Sequence, residues 1–230
     1  MRRAIQNGAE ASLPSPWRTI CLYSSAVLLA SVYLHAQCPN TGETKVIKPD
    51  QGTGYYFYKS IGDGSYRYFL DGNTFSFNDK DDPGRTFIFI DDLAYESNLV
   101  GKTDFAEYVK GSKEIDVLRG QAKYEQDYFK KLDPSMVITD LGPSFRKNPD
   151  GSDDRLFYLW KKENSPGKKL ATQYMLSTLI KGEVVVLSLM PTKAHVSEDA
   201  YFLQIRKYTS HFDLISSDQC AKVLSAPTAH

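Results

Sequence analysis

Residues Glu183–Met190 read Glu-Val-Val-Val-Leu-Ser-Leu-Met. Successive side chains of a strand point to opposite faces, so Val184–Leu189 is apolar on both. Such a strand needs cover above and below, which makes it a central strand between two other layers. It follows a second β-prone run, Ala171–Ile180, through Lys181-Gly182, a two-residue link of the hairpin type. Any fold for this chain has to be built around that pair.

The remaining pattern supplies the other elements. Tyr55–Ser60, Ser65–Leu70, Thr74–Asn78 and Arg85–Asp91 are short runs separated by Gly62-Asp63-Gly64, Asp71-Gly72 and Asp79–Gly84. This spacing predicts a meander, with the Thr74–Asn78/Arg85–Asp91 hairpin as its firmest part. Residues 103–132 change to helical spacing. Phe105, Tyr108 and Val109 follow a possible cap at Thr103, and Ile115, Leu118, Ala122, Phe129 and Leu132 follow a second at Ser112. Strands return at Met136–Leu141 and Arg155–Lys161, joined by the turn Asn148–Asp154. A last helix is predicted behind Ser197, with Glu198 and Asp199 at its positive end and Phe202, Ile205, Thr209 and Phe212 on one face. The expected fold class is α/β of the α+β type, with helices packed on a largely antiparallel sheet.

The first 36 residues stand apart. Arg2, Arg3 and Arg18 precede the apolar run Thr19–Leu34, and the small residue Ala36 offers a cleavage point, the pattern of a secretory signal peptide. The alternative is a retained anchor, since the run is long for a signal core yet short for a membrane span. Arg2-Arg3 lies too far from the apolar core for a twin-arginine signal. Gln37 disfavours acylation of Cys38, where a small preceding residue is expected. The expected organisation is a signal peptide over 1–36, a flexible arm over 37–54, one domain over 55–220 and a tail over 221–230. Export places the protein outside the cell or in a periplasm, with no stable membrane insertion after cleavage.

Charge narrows the partners. The 230-residue chain has 28 basic and 28 acidic side chains. Residues 37–230 keep 25 and 27, a net charge of −2. No basic excess exists to neutralise phosphates, so nucleic acid is not an expected partner. Cys21 lies in the leader, which leaves Cys38 and Cys220 near the two ends. In an oxidising compartment they can form a bridge that ties both termini down; the alternative is two unrelated thiols.

Catalytic patterns are sparse. The histidines beyond the leader are His195, His211 and His230, with no His-x-x-x-His or His-Glu-x-x-His pair, so no zinc site is expected. His211, at the end of the last helix, suits the negative end of the helix dipole better than catalysis. There is no Gly-x-Ser-x-Gly motif. The acidic stretch Asn78–Gly84 fails as a calcium loop, because Pro83 takes the fifth position and Ile90 the last, where a carboxylate is required. Asp150–Asp154 reads as a solvated turn. No catalytic residue, metal or cofactor is expected.

Aromatic density is the remaining clue. Tyr55, Tyr56, Phe57, Tyr58, Tyr66, Tyr68 and Phe69 crowd fifteen residues. If one face of each strand meets solvent, Tyr55, Tyr56, Tyr58, Tyr66 and Tyr68 form a contact surface for a protein or a glycan. The alternative is that the rings pack on the sheet.

The Thr74–Asp91 hairpin, together with Ala171–Leu214, resembles the PsbP-like family. In the second stretch a long strand, a Lys-Gly turn, a second apolar strand and a loop lead to a helix ending His211-Phe212-Asp213-Leu214. The resemblance spans residues 65–215 and rests on element order. It implies an α/β/α sandwich, and members of that fold are mostly docking or assembly factors rather than catalysts. No site motif of the family is matched, and nothing here identifies the manganese- or chloride-linked site of its photosynthetic members. The expected function is therefore an exported, non-catalytic binding or assembly protein whose partner is an envelope or extracellular protein. The rivals are a small hydrolase with an unrecognised site and a glycan-binding module.

Overall fold

The computed structural model describes residues 44–49, 51–62, 64–78, 87–148, 150–163, 172–192, 196–216 and 218–220. The doubly apolar run becomes strand β10 (Glu183–Pro191), fourth of seven in an antiparallel sheet. Its order is β4 (Phe75–Asn78), β5 (Phe87–Ile90), β6 (Leu93–Gly101), β10, β9 (Gln173–Ile180), β8 (Asp153–Glu163), β7 (Val137–Lys147). Val184, Val185, Leu187 and Leu189 are all at most 1% exposed. Each such side chain stabilises the fold by about 1.5–3 kcal/mol on burial. Lys181 and Gly182 take φ values of 47° and 89°, the doubly left-handed turn that matches the twist of the strands it joins.

A second sheet of four short strands covers one face of the first. Its order is β1 (Thr44–Ile47), β2 (Tyr55–Ile61), β3 (Gly64–Leu70), β11 (Asp213–Ser216). Helix α2 (Glu198–Ser210) joins that layer, and Tyr201, Ile205 and Tyr208 enter the same core as Phe57, Tyr66, Tyr68, Leu187 and Leu189. Ser197 caps α2 by accepting from Ala200 N at 3.3 Å. Gln204 spans the end of β3, donating to Asp71 O and accepting from Asp71 N, while Lys207 pairs with the Asp71 carboxylate.

Helix α1 (Glu114–Leu132) covers the other face, where Val117, Leu118 and Ala122 pack on Trp160, Met175 and Val186. The class is α+β, as the pattern predicts, but the expected single sheet is two antiparallel sheets packed face to face, with α1 outside the large one and α2 in the layer of the small one.

Several expectations need correction. The meander divides: β2 and β3 pair in the small sheet, while the β4–β5 hairpin joins the large one. Residues 44–47, assigned to a flexible arm, form β1 on the edge of β2. The predicted helix from Thr103 is a 3-10 helix (Lys102–Tyr108) whose Phe105 is completely buried. Helix α1 begins without Ser112 as its cap; instead Asp116 turns back to accept from Lys113 N at 3.1 Å. Strand β6 was missed because Glu96, Ser97 and Asn98 interrupt its apolar alternation, although Glu96 and Ser97 are buried. The leader, Cys38, most of the Asn78–Gly84 stretch, His195 and His230 lie outside the described residues. Among the described residues no helix is long and apolar enough to cross a membrane.

Candidate interaction surface

The aromatic hairpin is the place to begin, because the sequence points there. Antiparallel register sets Phe57 opposite Tyr68 and Tyr55 opposite Leu70, so these side chains share the face turned toward the large sheet. Tyr66 and Tyr68 are completely buried, and burial pushes both phenols far above their ordinary value. Tyr58 lies on the other face beside Arg67, yet is only 2% exposed. Burial raises its phenol too, with Arg67 opposing.

The expected five-tyrosine surface is corrected accordingly. Tyr58, Tyr66 and Tyr68 are interior residues: Tyr66 and Tyr68 face the large sheet on which their own sheet packs, a contact the local sequence does not announce, and Tyr58 is buried on the opposite face beside Arg67. Tyr55 and Tyr56 are half-buried. Tyr55 packs on Phe75 with centroids 4.9 Å apart and donates to Asn73 O at 3.3 Å. Tyr56 sits against Phe69 at 4.9 Å, with the Arg67 guanidinium 5.5 Å over its ring. Arg67 is itself held by two hydrogen bonds to Asp213, at 3.0 and 2.8 Å. His211 closes the end of α2: its backbone N–H donates to Lys207 O, and its ring Nδ1 lies 2.9 Å from the same carbonyl. That is the capping role the sequence suggests.

Exposed apolar side chains gather elsewhere. Leu132, Val137, Leu141 and Phe145 are 65%, 53%, 40% and 49% exposed. All four fall on the last residue of α1 or on β7. Among the described residues, strand β7 is the outermost strand of the large sheet and pairs only with β8. It is also eleven residues long, whereas the outermost strands β4, β1 and β11 have four each. Sheet edges expose unpaired N–H and C=O groups, and short edges limit unwanted pairing. Strand β7 does not follow that practice.

The local sequence keeps β7 rigid. At its start, Lys130 donates to the Pro134 and Met136 carbonyls across the turn, while Ser135 N donates to Asp133 at 3.1 Å. In its middle, the register slips by one residue between Asp140 and Gly142, a bulge with Gly142 at φ 83°. Asp140 fixes that bulge by accepting from Gly142 N at 2.9 Å and from the Tyr158 hydroxyl at 2.6 Å. Burial, then this bond to Asp140, push the Tyr158 phenol up to about 12. At the far end Arg146 pairs with Asp154 and reaches Phe212 O and Asp213. Pro143, which has no N–H, is tolerated because the strand is an edge. The result is a firm edge with exposed apolar side chains on both of its faces, Val137 on the small-sheet side beside Glu163 and Phe145 on the α1 side beside Leu156, the kind of edge that takes an extended segment of another protein. The sequence signal was present in Val137, Leu141 and Phe145, but the bulge breaks their period.

Other sites are modest. A shallow cleft between the 3-10 helix and α1 is lined by Tyr108, Lys110, Asp116, Arg119, Gly120 and Lys123. Lys123 is paired there with Asp127 at 2.6 Å. Among the described residues no three His, Cys, Asp or Glu side chains are grouped to hold a metal ion. Cys220 is completely buried.

No protein-family model matches the chain, and no curated protein matches it. Among solved structures it is similar to the solution structure of cyanobacterial PsbP (CyanoP) from Synechocystis sp. PCC 6803. The match has a TM-score of 0.45 at 11% sequence identity, covering 72% of this chain and 94% of that chain. The identity is too low to carry residue roles across, so the site is read from this chain's own geometry.

Proposed function

We propose that this is an exported, non-catalytic binding or assembly protein whose contact surface is the β7 edge, with a protein of the envelope or exterior as its partner. The observation that carries the reading is a long edge strand, tied at both ends, along which Val137, Leu141 and Phe145 stay exposed, with Leu132 at the end of the preceding helix. Export rests on the basic and apolar leader of residues 1–36. A Cys38–Cys220 bridge fits that compartment, and the burial of Cys220 supports it.

The test is reversible cross-linking and capture from the source cells' envelope and culture fluid, comparing three forms of the chain. A Val137→Ser/Leu141→Ser/Phe145→Ser variant should lose at least about tenfold of a specifically captured partner, the effect of losing about 1.4 kcal/mol of binding. Tyr56→Ser should retain it. Loss with Tyr56→Ser and retention with the β7 variant would return the surface to the aromatic hairpin. Turnover of ester, peptide or glycoside substrates above blank would instead favour an enzyme.

A further inference from the structure

Helix α1 does not meet the large sheet through an apolar stripe alone. Gln121 and Glu125, one turn apart, lie on its buried face and are 0% and 4% exposed. Strand register aligns one row beneath that helix: Glu96 on β6, Ser188 on β10, Met175 on β9 and Trp160 on β8. Glu96, Ser188 and Trp160 are 4%, 3% and 0% exposed. Ser188 is satisfied, donating to the Met175 sulfur at 2.9 Å and accepting from Gln173. Oε2 of Glu125 and Nε1 of Trp160 are buried without a hydrogen-bond partner. Buried polar groups left unpaired destabilise a fold, so an unpaired carboxyl oxygen and indole N–H under one helix call for an explanation.

The charges supply it. Glu125 faces the Glu96 carboxylate on β6 and the Lys162 ammonium on β8, which also stands 3.3 Å from the Phe129 ring centroid of α1. On this row β9 and β10 contribute only the uncharged Met175 and Ser188. From the 3-10 helix, Asp104 and Tyr108 act on Tyr124 of α1, where Glu125 and Tyr128 also act. Glu125 thus has one carboxylate, Glu96, and one ammonium, Lys162, as charged neighbours, while Glu96 also has Lys59 of β2 beside it. We propose that Glu125 is a proton-operated latch for α1: the neutral acid lets the helix seat on the sheet, and loss of its proton to solvent loosens the helix.

Burial pushes the Glu125 carboxyl up to about 8, with Glu96 adding to the rise and Lys162 and a hydrogen bond with Gln121 opposing it. The native state therefore holds a proton that the unfolded chain releases near the ordinary carboxyl value of about 4.3. The native-state preference is complete below that value and declines as pH climbs toward about 8, the interval in which only the native state keeps the proton. Within it, the folding equilibrium of wild type relative to Glu125→Gln should fall by up to about tenfold per pH unit.

The chain has two tryptophans, Trp17 and Trp160, so Trp17→Phe leaves the buried Trp160 as a reporter beneath α1. In that full-length background, Trp160 emission should change with a midpoint near pH 8, and Glu125→Gln should abolish the change. Burial also pulls the Lys59 amine down to about 8, with Glu96 opposing. Lys59→Met should therefore leave the emission transition in place. In parallel, hydrogen exchange at pH 9 should be faster in α1 of wild type than in α1 of Glu125→Gln, both measured at the same pH. A transition that persists in Glu125→Gln, or that disappears only in Lys59→Met, or equal α1 exchange in the two forms, would overturn the latch.

Discussion

The β2–β3 hairpin and strand β7 show opposite relations between composition and exposure. Seven aromatic residues lie in the span Tyr55–Phe69, and most of their ring surface is interior. Strand β7 has a single aromatic, Phe145, and half of it meets solvent. The difference comes from place rather than content. The hairpin lies within a layer pressed onto the large sheet and α2, so both of its strands have neighbours across the core. Strand β7 ends its sheet, so the far edge has nothing to pair with among the described residues. Aromatic density thus marks the seam between two layers here, and the more ordinary stretch at the edge is the one available to another molecule.

Mutations can break or sharpen that contrast. The largest effect should come from Tyr68→Ala, which removes a fully buried ring stacked 5.2 Å from Phe57 and packed 5.1 Å from Tyr208. It should cost about 3–5 kcal/mol in urea unfolding, the range for emptying a buried aromatic site. A loss below about 1 kcal/mol would mean that the hairpin is not the seam. Next comes Gly120→Ala in α1. An added Cβ would lie 3.0 Å from Val109 Cγ2 and 3.1 Å from the Tyr108 carbonyl carbon and oxygen. The 3-10 segment must shift to admit it, at about 1–3 kcal/mol, visible as a lower thermal midpoint. A neutral or stabilising result would show that this segment sits loosely on the helix. Ser197→Ala should cost about 1 kcal/mol by removing the α2 cap, and an unchanged denaturation midpoint would contradict that role. Phe145→Ser should fall within about 0.5 kcal/mol of wild type, because half of the ring is already in water. A loss comparable to that of Tyr68→Ala would mean β7 belongs to the core after all.

The legible parts of the fold are those where local chemistry decides. The Lys181-Gly182 turn, the Ser197 cap and the double-faced burial of Val184–Leu189 all follow from spacing and residue type. The parts missed depend on partners distant in sequence. Strand β6 carries Glu96 and Asn98 on the face beneath α1 and Ser97 on the other face beside Tyr66 and Tyr68, so its period is not an apolar one. Strands β1 and β11 are four residues each and exist only by pairing with β2 and β3. The cap falls on Lys113 rather than Ser112 because the carboxylate of Asp116, three residues on, reaches back to Lys113 N, a choice that residue preference alone does not resolve. The candidate surface suffered most. Leu141 and Gly142 shift the period of β7 at the bulge, and nothing in that stretch announces that it is the last strand.

Site-specific photo-cross-linking addresses the central claim most directly. A photoreactive residue is placed at position 145 in one protein and at position 56 in another, and both are irradiated in the native compartment. The account predicts a discrete adduct from position 145 that is absent or several-fold weaker from position 56. Adducts from position 56 alone would contradict it, and would put the contact surface back on the aromatic hairpin.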